Sequence, residues 1–239
     1  MNMKMHYLID ARLPPKQETL ATVTERVAKL LTSLREIDPL LSRWFQPTGP
    51  ETCLPLSASI PLLEKAIYTQ SCLNGAKSPR LEFGYCLGAS NQADSNSWKS
   101  DGMMIMMNAG GRDANRIWLQ TSLGIAPDPR LITYSTVKKI LFAVADAFDP
   151  LFSSAYPAAL NRDLMIPEGK KRPIFVGWMV LLPRDLAIQV MPPPQTIQQT
   201  RADGSLFMAA TDETFDASNP AHVAGSKAIQ DAIAPVNIR

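Results

Sequence analysis

Two histidines, three cysteines and a few close-set acids are the residues of this chain with chemistry to offer. His6 and Asp10 are four apart, a metal-pair offset on a helix. In a strand that offset spans roughly 13 Å, too far to share one ion without a sharp bend. His222 falls in the first turn of an expected helix, where a surface role is the default. Cys86 lies on an apparent strand, and with His222 as base it would be the best thiol nucleophile available. Nothing near it in sequence would depress its pKa, so a buried structural thiol is the simpler reading. The chain has no Gly-x-Ser-x-Gly elbow, no Walker-type phosphate loop, no His-Glu-x-x-His and no Cys-x-x-Cys. Asp212, Glu213 and Asp216 form a compact acidic loop, and Asp94, Asp101 and Asp113 occupy turns. These acids could hold a metal or run acid–base chemistry, but solvated turns explain them more simply. Charged loops around a rigid sheet also make a rim for protein docking, which needs no catalytic geometry. No catalytic residue, metal site or cofactor is therefore expected.

Bulk composition narrows the field further. Apolar residues at 46% and charged residues at 19% describe a folded chain, and 239 residues can bury a substantial core as one domain, 1–239. The net charge is +2 with both signs dispersed, and no basic run exceeds the Gly169-Lys170-Lys171-Arg172 bend. A direct nucleic-acid binder should show a concentrated basic stripe, so that class is set aside. Cys53, Cys72 and Cys86 cannot all pair, which suits free thiols in a reducing cytosol. Lys4, His6, Asp10 and Arg12 interrupt any signal-like apolar run, and no segment reaches the roughly 20 apolar residues of a membrane span. A cytoplasmic protein is expected.

The elements that would position these residues follow from periodicity. Residues 3–13 alternate as a strand, and Pro14-Pro15 ends it. Leu20, Val23, Val27, Leu30, Leu31 and Leu34 fall at helical spacing within 16–37. Residues 39–58 read as loop with Trp44 and Phe45 folded back on the core, and 60–72 as a short helix. Strands are expected at 81–89, 102–108 and 116–121, with the Met103–Met107 run as an inner strand. A helix runs from Leu131 or Tyr134 to Phe148, stopped by Asp149-Pro150. Residues 150–172 look irregular. Pro173 to Pro183 is apolar at every step apart from the indole N–H of Trp178. It reads as a central strand covered on both faces, with Gly177 admitting a close neighbour and Trp178 anchoring a core. Two further strands are expected at 196–200 and 204–211, then a helix opened by Asn219-Pro220 and running to 233. The order of elements argues an α+β fold: a single mixed, mainly antiparallel sheet with helices packed on one side.

An opening strand and helix over 3–37, a strand block around Phe83 to Gln120, a helix ending at Asp149-Pro150 and the Gly177-Trp178 strand occur in that order. In this the chain resembles the Immunity protein 52 family of bacterial polymorphic toxin systems. The resemblance implies a non-catalytic cytoplasmic antidote. Its partner would be a cognate toxin delivered by contact-dependent or type VI secretion, commonly a restriction-endonuclease-fold nuclease. It also maps the family's Gly and Trp onto Gly177 and Trp178 as fold-determining residues. No toxin-contacting position carries over by motif. From charge and expected exposure, Asp212, Glu213 and Asp216 are the first choice for toxin contacts, and Trp98, Asp101 and Arg112 the second. Two other readings remain open here: a small-molecule hydrolase using Cys86 or an Asp pair, and a non-catalytic homo-oligomeric binding module.

Overall fold

The computed structural model describes residues 6–48, 52–56, 59–72, 78–80, 82–93, 102–113, 115–121, 126–158, 160 and 174–236. Alternating apolar residues make β1 (Tyr7–Leu13), and the helical stripe makes α1 (Leu20–Ile37), whose Thr19 side chain accepts from the Thr22 N–H. Two short strands follow, β2 (Phe45–Pro47) and β3 (Cys53–Pro55), then α2 (Ile60–Ser71). The strand block is β4 (Tyr85–Ser90), β5 (Met103–Ala109) and β6 (Asn115–Thr121). Thr133 caps α3 (Tyr134–Phe148), and Asp149 closes it in the left-handed region, at φ 47°, just before Pro150. After β7 (Phe152–Pro157) come β8 (Met179–Leu182), the single turn α4 (Arg184–Ala187), β9 (Ile197–Thr200) and β10 (Leu206–Ala209). Asn219 and Pro220 open α5 (Pro220–Ile233).

All ten strands join one sheet in the order β3-β2-β4-β5-β6-β1-β7-β8-β10-β9, and every strand pairing in it is antiparallel. The α+β class and the single sheet agree with the sequence reading. On one face α1, α2 and α3 set Val27, Leu30, Leu63, Ile67, Ile140 and Val144 against the apolar rows of β1, β4, β5 and β6. The last helix departs from that side: α5 packs Ile229 and Ile233 over Val180, Leu182, Leu206 and Met208 on the opposite face.

The Gly-Trp segment is where expectation and structure differ most. Among its described residues, 174–183, only Met179–Leu182 is strand, and β8 lies third from one edge, while β6 and β1 hold the middle of the sheet. Its unbroken apolar run has the expected cause, cover on both faces. Met179 and Leu181 face the three-helix core, and Val180 and Leu182 face α5. Gly177 lets the chain pass close against β7, since a Cβ there would overlap the Cβ of Tyr156. Conversely, the stretch expected to be irregular from residue 150 contains β7, paired between β1 and β8. Ser153 and Ser154 disguise that strand as polar, yet both are buried, and their hydroxyls have no hydrogen-bond partner among the described residues. Trp44 does fold back onto the core, donating its indole N–H to Leu41 O at 3.0 Å. No helix among the described residues is long and apolar enough to cross a membrane.

Candidate docking loop

Between β10 and α5 the chain runs through Asp212, Glu213 and Asp216. Asp212 and Glu213 are exposed and Asp216 is half-buried, while Phe215 between them is fully buried in the three-helix core. That one apolar residue plugs the loop into the body, and four hydrogen bonds complete the attachment. Trp178 Nε1 donates to Thr211 O at 3.1 Å, and the Tyr7 hydroxyl donates to Phe215 O at 2.8 Å. The Asp216 N–H donates to His222 Nδ1 at 3.0 Å, and Thr214 Oγ1 donates to Ile132 O at 3.0 Å. The Tyr7 and Trp178 rings touch, with centroids 5.8 Å apart, and the His222 ring lies 5.6 Å from Phe215. A loop held by side chains from β1, the β8 approach and α5 presents its acids in a fixed geometry.

The electrostatics follow from these contacts. The Asp216 carboxylate accepts from the Ser218 N–H at 2.8 Å and from Ser218 Oγ at 2.7 Å, which holds it below the usual carboxylate range. Burial pushes the Tyr7 hydroxyl up to about 12, and the nearby Asp216 charge adds to this. Because His222 Nδ1 accepts a bond, the neutral ring carries its proton on Nε2, 3.3 Å from a Glu213 oxygen. The Ser218 bonds thus hold Asp216 in its ionised form behind the exposed Asp212 and Glu213.

The other sequence-derived candidates scatter. Arg112 is exposed in the β5–β6 turn, donating from Nε to Gln17 Oε1 at 2.9 Å. That turn adjoins the Leu13 end of β1, whereas the acidic loop adjoins Tyr7, so the length of β1, roughly 20 Å, separates them. Trp98 and Asp101 lie outside the described residues, as does Asp94. Cys86 and His222 are not brought together: Cys86 lies on β4 with its N–H donating to the Ser71 hydroxyl, while the His222 ring packs against Phe215 and accepts from the Asp216 N–H. Burial raises the Cys86 thiol pKa, and its sulfur meets the amide oxygen of Asn108 at 3.5 Å. Among the described residues no group of three or more His, Cys, Asp or Glu is placed to hold a metal ion.

Two contributors to the loop escaped the sequence reading. Tyr7 acts across 208 positions, and no local pattern signals that. His222 was read as a surface residue but is buried; its place six residues after Asp216, at the head of a capped helix, was the usable signal. A second polar cluster also went unmarked, the bidentate Arg116–Asp10 pair with Trp118 beneath the guanidinium at 5.0 Å.

Fold and loop together define an antiparallel α+β protein with a rigid acidic prominence at one end of its sheet. The family model for Immunity protein 52 matches residues 6–236, and the chain belongs to that family. Among solved structures it is similar to the Pseudomonas aeruginosa T6SS protein PA0821, with a TM-score of 0.57 and 13% identity. The likeness covers 98% of this chain and 73% of that one, and it is a likeness of fold. No curated protein matches.

Proposed function

We propose that this protein is an antidote that binds a cognate toxin and obstructs it, with no turnover of its own. The observation that carries the reading is the family match over residues 6–236. The partner is a nuclease domain of the restriction-endonuclease class, delivered by a T6SS and met in the cytoplasm, and the whole chain, 1–239, acts as one unit. A nuclease cleft is basic and holds a divalent ion, so fixed carboxylates entering it compete for both. Asp212 and Glu213 supply those carboxylates, and Asp216 shapes the loop behind them. Trp98, Asp101 and Arg112 stand as second contacts; Arg112 joins only if the partner reaches along the length of β1.

An interface of ordinary size, roughly 1,600 Å², would be enough for stoichiometric protection. The test is to titrate the purified chain against the toxin domain encoded beside it, following toxin activity and affinity together. Activity should vanish at one equivalent. Reversing both Asp212 and Glu213 to Lys should weaken binding by ~30-fold or more, on the scale of losing a desolvated charge pair, with the melting temperature nearly unchanged. Full toxin activity in excess antidote removes the proposal; unchanged affinity in the reversal variant removes the loop from it.

A further inference from the structure

The two edges of the sheet differ in kind. At one, β3 contains Pro55 and pairs with β2, which ends in Pro47, and prolines block the addition of another strand. At the other, β9 reads Ile197-Gln198-Gln199-Thr200, without proline or charge, and its last three residues are exposed. Its one strand partner among the described residues is β10. The Arg201 N–H donates to Ser205 O at 2.9 Å, which sets the phase of the ladder. Antiparallel pairing alternates, so Ile197 and Gln199 bond to β10 while Gln198 and Thr200 turn their N–H and C=O groups outward. None of those outward groups has a partner among the described residues.

We infer that β9 pairs with β9 of a second copy, antiparallel, about a two-fold axis through Gln199. In that register Gln198 stands opposite Thr200 of the second copy, and the reverse, so both outward-facing residues of each chain exchange backbone bonds with their counterparts. Gln199 then meets its own equivalent in a non-hydrogen-bonded pair, Cα atoms about 4.5 Å apart, where two neutral amides are compatible and two like charges are not. The occupant is a second copy because the strand is self-complementary and carries no charge to select a foreign strand. A two-fold axis can join equivalent edges only in the antiparallel sense, and this sheet is antiparallel throughout. Apolar area is at hand. Ile188 and Met191 are the most exposed large apolar side chains described, at 79% and 87%, and both stand on the connection into β9. Ile188 also lines a groove of about 510 Å³ with Arg201 and Asp203 of the β9–β10 turn. Four edge residues and this patch fall short of a standard interface of ~1,200 Å² or more, so the dimer is weak and concentration-dependent.

Sedimentation velocity of the full chain from ~10 μM to ~1 mM tests this. The expected result is a dimer fraction that rises with concentration. Gln198→Pro removes an outward N–H without touching the β10 ladder, and it should abolish the rise. Gln199→Lys and Gln199→Glu should each weaken association by about tenfold, and an equimolar mixture of the two should restore it. A monomer at every concentration overturns the inference, as does a folded Gln199 pair that associates like the parent or fails to recover on mixing.

Discussion

Trp178→Phe isolates what the indole N–H does for the acidic loop. The side chain is fully buried, with one polar contact, Nε1 to Thr211 O, and its ring is packed on Tyr7. Removing the donor leaves a part-buried carbonyl without its bond, at a cost of about 1 kcal/mol. The smaller ring leaves a void worth about 1–2 kcal/mol more. The sum, about 2–3 kcal/mol, corresponds to a melting temperature lower by roughly 4–12 °C for a chain of this size. Global stability alone would not separate the loop from the core. The assay is therefore thermal unfolding combined with amide hydrogen exchange over residues 212–216 and over α1 as a reference. The loop amides should lose protection well beyond the global change, since Thr211 is where the indole ties the loop down. Tyr7→Phe, which frees Phe215 O, should give a smaller loss of the same local kind, and the double variant should be non-additive because the two rings touch. A melting temperature within a degree of the parent, or protection lost evenly across the molecule, would refute the clamp.

Three other outcomes follow from the same geometry. Gly177→Ala drives a Cβ into Tyr156 and should cost about 1–3 kcal/mol in a chemical-denaturation measurement; a neutral result would mean that β7 yields easily. His222→Phe keeps an aromatic ring, slightly larger, but removes the acceptor of the Asp216 N–H, so exchange at Asp216 should accelerate while α1 stays protected. Burial raises the hydroxyls of Tyr7 and Tyr156 from 10.0 to about 12. Raised folded-state values mean that this stabilisation is complete below pH ~10 and is lost as pH climbs to ~12, about 2–3 kcal/mol for each tyrosine. Alkaline unfolding curves should show the decline, and Tyr7→Phe should flatten it; a pH-independent stability between 10 and 12 would contradict the burial argument.

Local pattern carried much of the architecture. Helical spacing in 16–37 and 134–148, and the Asn219-Pro220 start, located α1, α3 and α5 because capping and amphipathicity are short-range properties. It failed where tertiary cover overrides composition. Phe152–Pro157 became strand because β1 and β8 pair with it on either side, although its serines argue against burial. The Gly-Trp run was legible as two-sided but not as off-centre, since cover by α3 on one face and α5 on the other looks the same in sequence as the middle of a sheet. For the candidate site, the acids themselves were readable by charge and turn context. The residues that hold them were harder to see: Tyr7 meets Phe215 only when the ends of the chain come together, and His222, though just six residues beyond Asp216, looks like a surface residue from its place in the first turn of α5.

That division bears on how the loop would work in an interface. A loose acidic segment loses conformational freedom when it docks, at about 0.5–1.5 kcal/mol for each side chain immobilised. Phe215 in the core and bonds from Tyr7, Trp178 and His222 meet that cost during folding, before any partner arrives. Charge and rigidity can then be varied separately. Reversing Asp212 and Glu213 keeps the bonds from Tyr7, Trp178, Thr214 and His222 Nδ1 and gives up only the Glu213 contact with His222 Nε2, whereas Trp178→Phe leaves every charge in place. If the loop is the docking element, charge reversal weakens toxin affinity at constant melting temperature, and the clamp variant weakens it in proportion to the protection lost at 212–216. A clamp variant with a mobile loop and parental affinity would show that the toxin is held by another face, and the acids would revert to solvated turn residues.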